Sequence, residues 1–229
     1  LCAEIAGKYG WAFVNVNMRP YYAEGSKSMA YEIAEQLDWK LPQHTVVPMA
    51  SGSLLTKIHK GYQELIKLGL TRNSKPAVHG AQATGCSPIS AAYKQGMDFF
   101  KPVKPQTIAK SLAIGTPADG FYALKVMKET GGASDDVSDD EIREAMSALA
   151  KCEGIFTETA GGVTVGTAKK LVASGKIPAE DSVVLCVTGN GLKTLDAVQG
   201  HVGKPAGIKP SLREFEQLME KDGNKVKSK

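Results

Sequence analysis

Three short segments of small and hydroxyl-bearing residues stand where an apolar run gives way to a helical pattern, and chemistry could sit there. The first is Val46-Val47-Pro48-Met49-Ala50-Ser51-Gly52-Ser53-Leu54-Leu55. Small side chains let backbone N–H groups converge on an anion, a helix N-terminus adds about half a positive charge, and two hydroxyls can donate. That is the chemistry of a phosphate cradle, although a plain strand-to-helix turn with serine caps uses the same residues. The segment lacks the Walker lysine, and Gly25-Ser26-Lys27-Ser28 lacks the glycine five residues ahead, which disfavours a nucleoside triphosphatase. The second segment, Leu185-Cys186-Val187-Thr188-Gly189-Asn190-Gly191-Leu192-Lys193, contains G-x-G but has Thr194 where a dinucleotide fingerprint places its third glycine. The third, Thr157-Glu158-Thr159-Ala160-Gly161-Gly162, opens another helix with small residues.

Other chemistries find no constellation. There is no H-E-x-x-H, no G-x-S-x-G and no carboxylate cluster with metal-ligand spacing. His44, His59, His79 and His201 are scattered and read as structural. Cys2, Cys86, Cys152 and Cys186 form no C-x-x-C pair, which speaks against a zinc or redox site. Cys152 and Cys186 lie in apolar runs and read as buried free thiols, suited to a reducing cytoplasm. Tyr21 and Tyr22 have no basic patch around them and read as packing residues. The formal charge is +4, but Lys221 to Lys229 supply +3 of it and read as a solvated terminus, so no nucleic-acid partner is expected. No run approaches about 18 apolar residues, so no membrane partner is expected either.

These segments need elements to hold them. The 229 residues are 42% hydrophobic and 23% charged, which excludes disorder and fibrous repeats. Apolar β-branched runs at 11–14, 45–47, 76–79, 154–157 and 183–187 read as strands, the last two as buried ones. Between them lie helical patterns: Met29, Ile33 and Leu37; Leu54, Leu55, Ile58, Tyr62, Leu65 and Ile66; and a helix near Ser87 to Gly96. Ser138-Asp139-Asp140-Glu141 and Ser211-Leu212-Arg213-Glu214 read as capping boxes. Gly131 to Asp136 is the most linker-like stretch and reads as a surface loop. Apolar strands separated by helices predict an α/β fold, a mostly parallel sheet with helices on both faces. In such sheets ligands bind at the carboxyl ends of the strands, where all three small-residue segments fall.

Order and spacing then point to a family. Asn15 to Ser28 resembles the segment by which threonine synthases enter their cofactor-binding domain. Val47 to Leu55 is similar to that family's phosphate loop for pyridoxal phosphate, P-V-G-S-G-x-L. Ile114-Gly115-Thr116-Pro117-Ala118-Asp119-Gly120 resembles its G-x-P-A-x-G element, Phe156 to Gly161 its E-P-A-G turn, and Thr188 to Lys193 its T-G-x-G-L-K signature. The resemblance implies the large domain of a fold-type II pyridoxal-phosphate enzyme, tryptophan synthase β-like. Residues 1–10 would end a small N-terminal domain and 11–229 would form the cofactor-binding large domain. The implied activity is conversion of O-phosphohomoserine and water to threonine and phosphate, by γ-elimination and then β-addition of water.

By the same match Ala50, Ser51, Gly52, Ser53 and Leu54 would bind the cofactor phosphate, and Thr188 would face the pyridine nitrogen. Asn17 and Arg19 would meet the substrate phosphate, an arginine offering a bidentate fork. Ala50 and Thr159 depart from the family's glycine and proline, which a negative φ would accommodate. The family's Schiff-base lysine has no matching motif here and is expected upstream, so the chain resembles the C-terminal half of such an enzyme. A homodimer is compatible with the resemblance. A threonine or serine dehydratase of the same fold, and a non-catalytic phosphate-ligand binding remnant, stay open as alternatives.

Overall fold

The computed structural model describes residues 1–12, 21–71, 75–203 and 206–221. They divide into two compact units, Leu1–Ala197 and Val198–Lys229. The strand expected at 11–14 lies mostly outside the described residues, as do the substrate candidates Asn17 and Arg19.

In the larger unit α1 (Cys2–Tyr9), α2 (Tyr21–Gly25) and α3 (Ser28–Gln36) precede β1 (His44–Pro48) and α4 (Ser53–Lys67). Then follow β2 (Ala77–Ala83), α5 (Pro88–Lys94), α6 (Gly120–Thr130), β3 (Ser134–Val137), α7 (Asp139–Glu153) and α8 (Thr159–Ala173). The unit closes with β4 (Val183–Leu185) and the start of α9 (Leu195–Val198), and 3-10 turns stand at Lys110–Leu112 and Gly191–Thr194. The strands form one sheet in the order β3-β2-β1-β4, every pair parallel, with His44 opposite Ala77 and Val183 and with Gly80 opposite Ser134. The second unit contains α10 (Leu212–Lys221).

β1 and β2 are buried at every residue, as expected of central strands covered on both faces. Against Val47, Val78 and Met49 pack Leu55, Ile58, Tyr62 and Leu65 of α4 and Leu124 and Met127 of α6. The spacing of the α4 residues predicts this stripe. The long α8 packs against β1, β2 and β3 and carries α7 behind it. Its glycines permit that closeness: a Cβ on Gly162 would lie 2.7 Å from the Ile142 carbonyl oxygen. The capping box at Ser138 forms in both directions, Glu141 N–H donating to Ser138 Oγ and Ser138 N–H to the Glu141 carboxylate. At Ser211 only half of the box is present, because Glu214 instead accepts from the Lys209 N–H.

Several expectations are corrected. Residues 131–136 are not a surface loop: Ser134–Val137 is the edge strand β3. Gly132 lets the chain close on the Val78 backbone, and the Ser134 hydroxyl is held by Ser90 Oγ at 2.7 Å and the Gly80 carbonyl at 2.9 Å. Residues 154–157 are no buried strand. Ile155 is 46% exposed and Phe156 37%, and only Thr157 makes a bridge, antiparallel to Asn190. The last strand is shorter than expected and half-buried, since β4 stands at an edge of the sheet. Cys152 is exposed near the end of α7, whereas Cys186 is buried as expected. Among the described residues no helix is long and apolar enough to cross a membrane, and no group of three metal-ligating side chains could hold an ion.

Candidate functional site

The site forms where β1 ends. Pro48 closes the strand, and Gly52, at φ 90°, turns the chain directly into α4. No side chain caps this helix, so its opening N–H groups point out of the structure with no intrahelical acceptor. Ser53 N–H makes one long bond, 3.4 Å, to Ser51 Oγ. The Ser53 hydroxyl is buried and has no hydrogen-bond partner. A buried hydroxyl without a partner, beside helix N–H groups with no intrahelical acceptor, is a set of donors of the kind that can bind an anion's oxygens.

The segment Gly115 to Gly120 braces this turn from behind. Asp119 N–H donates to the Ser51 carbonyl at 2.9 Å, and Asp119 precedes the first residue of α6. A Cβ on Gly52 would meet Ala123 Cβ at 2.9 Å and the Asp119 carbonyl oxygen at 3.1 Å. From below, the buried Gln82 amide accepts from Ile89 and Ser90 N–H, both at 2.9 Å, and donates to the Met49 carbonyl. The loop is therefore held by backbone and buried amide contacts on two sides.

The two later segments are also brought here. Glu158 N–H donates to the Gly189 carbonyl and Gly191 N–H to the Phe156 carbonyl, both at 2.9 Å. The turn after β4 is thus stitched to the start of α8. Together they make a cleft of about 230 Å³ lined by Tyr22, Pro48, Ala50, Ser51, Gly52, Ser53, Leu54, Ser111, Leu112, Glu158, Ala160 and Thr188. Ala50 to Leu54 and Thr188, six residues singled out from sequence, share this one cleft. The non-glycine residues with positive φ among those described are Asp38 and Trp39, so neither Ala50 nor Thr159 needs the conformation a glycine would supply.

Sequence reasoning missed three contributors. Tyr22, read as packing, forms a wall, and α2 is fixed by Lys27, which binds Glu24 at 2.6 Å and Glu64 at 2.8 Å. Hydrogen bonds from Lys27 and Lys60 hold the Glu24 carboxyl at about 2. Ser111 reaches the cleft from the 3-10 turn at Lys110–Leu112, which carries no sequence signal of its own. Glu158 is 3% exposed and lies on the cleft; its place in a turn motif was the only hint. Neither buried cysteine is a ready nucleophile, because burial pushes the Cys186 thiol up to about 12 and raises that of Cys86 as well.

The orphaned hydroxyl allows a direct test. Ser53→Ala removes a buried group that the ligand-free chain leaves unsatisfied, so its melting temperature should hold or rise. Inorganic phosphate, followed by calorimetric titration, should bind about threefold to tenfold more weakly, the worth of one hydrogen bond. A lower melting temperature with unchanged phosphate binding would make Ser53 part of the fold alone.

Residues 1–189 match the family model described as pyridoxal-phosphate dependent enzyme. The threonine synthase of Methanosarcina acetivorans is 39% identical over 178 residues, 77% of this chain and 44% of that protein. The threonine synthase of Methanocaldococcus jannaschii is 33% identical over 204 residues, 89% of this chain and 50% of that protein. The chain spans about half the length of the curated relatives it matches. Among solved structures, maize serine racemase superposes with a TM-score of 0.65 at 19% identity, covering 87% of this chain and 60% of that one. Threonine deaminase isoform 2 from Solanum lycopersicum gives 0.66 at 17% identity, covering 88% and 56%. Those two likenesses are of fold. With the family model matched over most of its length, the chain belongs to the pyridoxal-phosphate-dependent enzymes.

Proposed function

We propose that this chain is the phosphate- and ring-binding portion of a threonine synthase, which forms threonine and phosphate from O-phosphohomoserine and water. The observation that carries the reading is the orphaned Ser53 hydroxyl on a cleft shared by the phosphate-loop residues and Thr188. The residues present fit pyridoxal phosphate. Helix N–H groups and the hydroxyls of Ser51 and Ser53 are donors for a phosphate, and Thr188 offers a neutral hydroxyl to a ring nitrogen. When bound, the cofactor supplies the electron sink for carbanion chemistry.

The protein's own part is to hold that group. Ala50 to Leu54 bind and orient the phosphate end, Gly52 fixes the loop, and Tyr22 and Leu112 wall the cleft. Asn17 and Arg19 are proposed for the substrate phosphate. The cleft of about 230 Å³ falls short of the roughly 300–1,000 Å³ of a full ligand pocket, and no lysine among the described residues lines it. The reading therefore assigns the lysine that holds the cofactor, and the remaining walls, to residues outside this chain. Residues 1–10 end a small domain in this assignment. The cytoplasm is the proposed compartment, since the four cysteines are free.

The test joins this chain to the N-terminal half of the Methanosarcina acetivorans relative and supplies pyridoxal phosphate. Threonine and phosphate should appear in equal amounts from O-phosphohomoserine. Deamination of threonine without turnover of O-phosphohomoserine would replace this reading with a dehydratase.

A further inference from the structure

We propose that Glu158 gives the cleft an acidic end that governs protonation of the cofactor's ring nitrogen, with Lys193 as the counterion that moderates it. The inference rests on the reading of the cleft as the pyridoxal-phosphate site, and it deepens that reading.

A carboxylate is out of place in a cleft built to take an anion. Burying one is costly unless it is paired and hydrogen-bonded. Glu158 is 3% exposed, yet its partners are distant: Ser111 Oγ at 3.3 Å and Lys193 Nζ at 3.3 Å. Charge-assisted bonds of good geometry are nearer about 2.7–2.9 Å. A carboxylate offers about four acceptor sites, so Glu158 keeps capacity for a further donor.

The backbone aims that capacity. Glu158 N–H is bonded to the Gly189 carbonyl, which places the acid against the turn that carries Thr188. Any Cβ on Gly189 would occupy the position of Glu158 Oε1, so the glycine there admits the carboxylate. Ser53 and the start of α4 offer the cleft donors, Glu158 offers it a carboxylate acceptor, and the Thr188 hydroxyl can serve as either. A molecule bearing a phosphate and a basic ring nitrogen matches both.

The charged groups around Glu158 are few. Lys193 faces it from the 3-10 turn at 191–194, and the turn at 110–112 brings the neutral Ser111. Lys110 is engaged by Asp196 at 2.6 Å. α8 presents Thr159, Ala160 and Gly161, α2 adds Tyr22 to the cleft, and Asp119 lies behind Gly52. Coulomb's law then sets the signs. The Glu158 charge favours a protonated ring nitrogen, and the Lys193 charge opposes it.

The experiment adds pyridoxal phosphate to the full chain and follows its visible absorbance across pH, with inorganic phosphate as competitor. E158Q keeps shape and loses charge, so the ring titration should move down by about 1 pH unit or more. K193M, at an exposed position, should move it up. Opposite shifts support the proposal; unchanged titrations, or shifts of the same sign, overturn it. If E158Q does not fold, K193M decides alone, and the absence of an upward shift overturns it. Parent-like phosphate binding in Gly52→Val overturns the cofactor reading itself, and the inference with it.

Discussion

Gly52→Val should cost the folded chain about 2–5 kcal/mol and abolish binding of both inorganic phosphate and pyridoxal phosphate. The φ of 90° at Gly52 lies in the region where a side chain is strained, which costs roughly 1–2 kcal/mol. Overpacking adds about 1–3 kcal/mol, because the first side-chain carbon would already stand 2.9 Å from Ala123 Cβ and 3.1 Å from the Asp119 carbonyl. The chain can relieve both only by shifting the loop. That shift moves Ser51 off its bond to Asp119 N–H and tilts the N–H groups opening α4. At about 2–4 °C per kcal/mol for a unit of this size, the melting temperature should fall by roughly 4–20 °C. Gly52→Val with Ala123→Gly removes the closest side-chain contact and leaves the φ strain, so it should recover part of the stability and little of the binding. A melt and a phosphate titration measure both. Parent-like binding in the single variant would move the anion site elsewhere.

The same loop shows what a sequence can disclose. Val46 and Val47 are buried because the run is apolar and β-branched, and α4 follows because Leu55, Ile58, Tyr62 and Leu65 repeat at helical spacing. Both signals are local. The capping box at Ser138 is local too, and it forms in full. β3 was illegible because its reason is distant: Ser134, Asp135 and Asp136 look like a polar loop until Gly132 is seated on Val78 and Ser134 on Ser90. Ile155 and Phe156 mislead in the opposite way. They are apolar, yet among the described residues no strand pairs with them, and the Phe156 ring instead fills the space left open at Gly191.

The site was legible to the extent that its pieces are contiguous in the chain. Ala50 to Leu54 announce themselves by small residues before a helix, and Thr188 by its neighbouring glycines. Tyr22 and Ser111 do not, since each reaches the cleft through a tertiary contact that no local pattern encodes, and Glu158 shows only as a member of its turn motif. Glu158 depends on the pairing of its N–H with Gly189, 31 positions along the chain. Asn17 and Arg19 lie outside the described residues, and their part stays a proposal.

The histidines carry the same lesson and a large expected effect. His44 and His79 looked scattered in sequence, but the parallel pairing of β1 with β2 brings them together, with His44 Nδ1 2.9 Å from His79 Nε2. The Ala133 N–H can only donate, and it lies 2.9 Å from His79 Nδ1. His79 must therefore carry its hydrogen on Nε2 and donate to His44, whose Nε2 then donates to Asp181 Oδ2 at 2.9 Å. A proton added at His79 Nδ1 would face the Ala133 N–H in a fully buried place. Burial first, and the neighbouring His44 second, lower the His79 pKa from 6.5 to about 4. Between those values the unfolded chain binds more protons than the folded one, so stability rises with pH. It is fully present above about 6.5 and falls by about 3 kcal/mol as pH drops to about 4. The ion-paired carboxylates Glu24, Glu64 and Glu141 titrate below their usual 4.5, so their contribution begins to be lost as pH falls through about 4.5, at the bottom of this window. Urea unfolding at about pH 7 and pH 5 avoids the carboxylates; His59, whose pKa burial also lowers, shares the interval, and a variant at position 79 separates the two. His79→Asn, which can still accept from Ala133, should be less stable at pH 7 and lose less on acidification than the parent. Equal losses in parent and variant across that window would remove His79 as the cause.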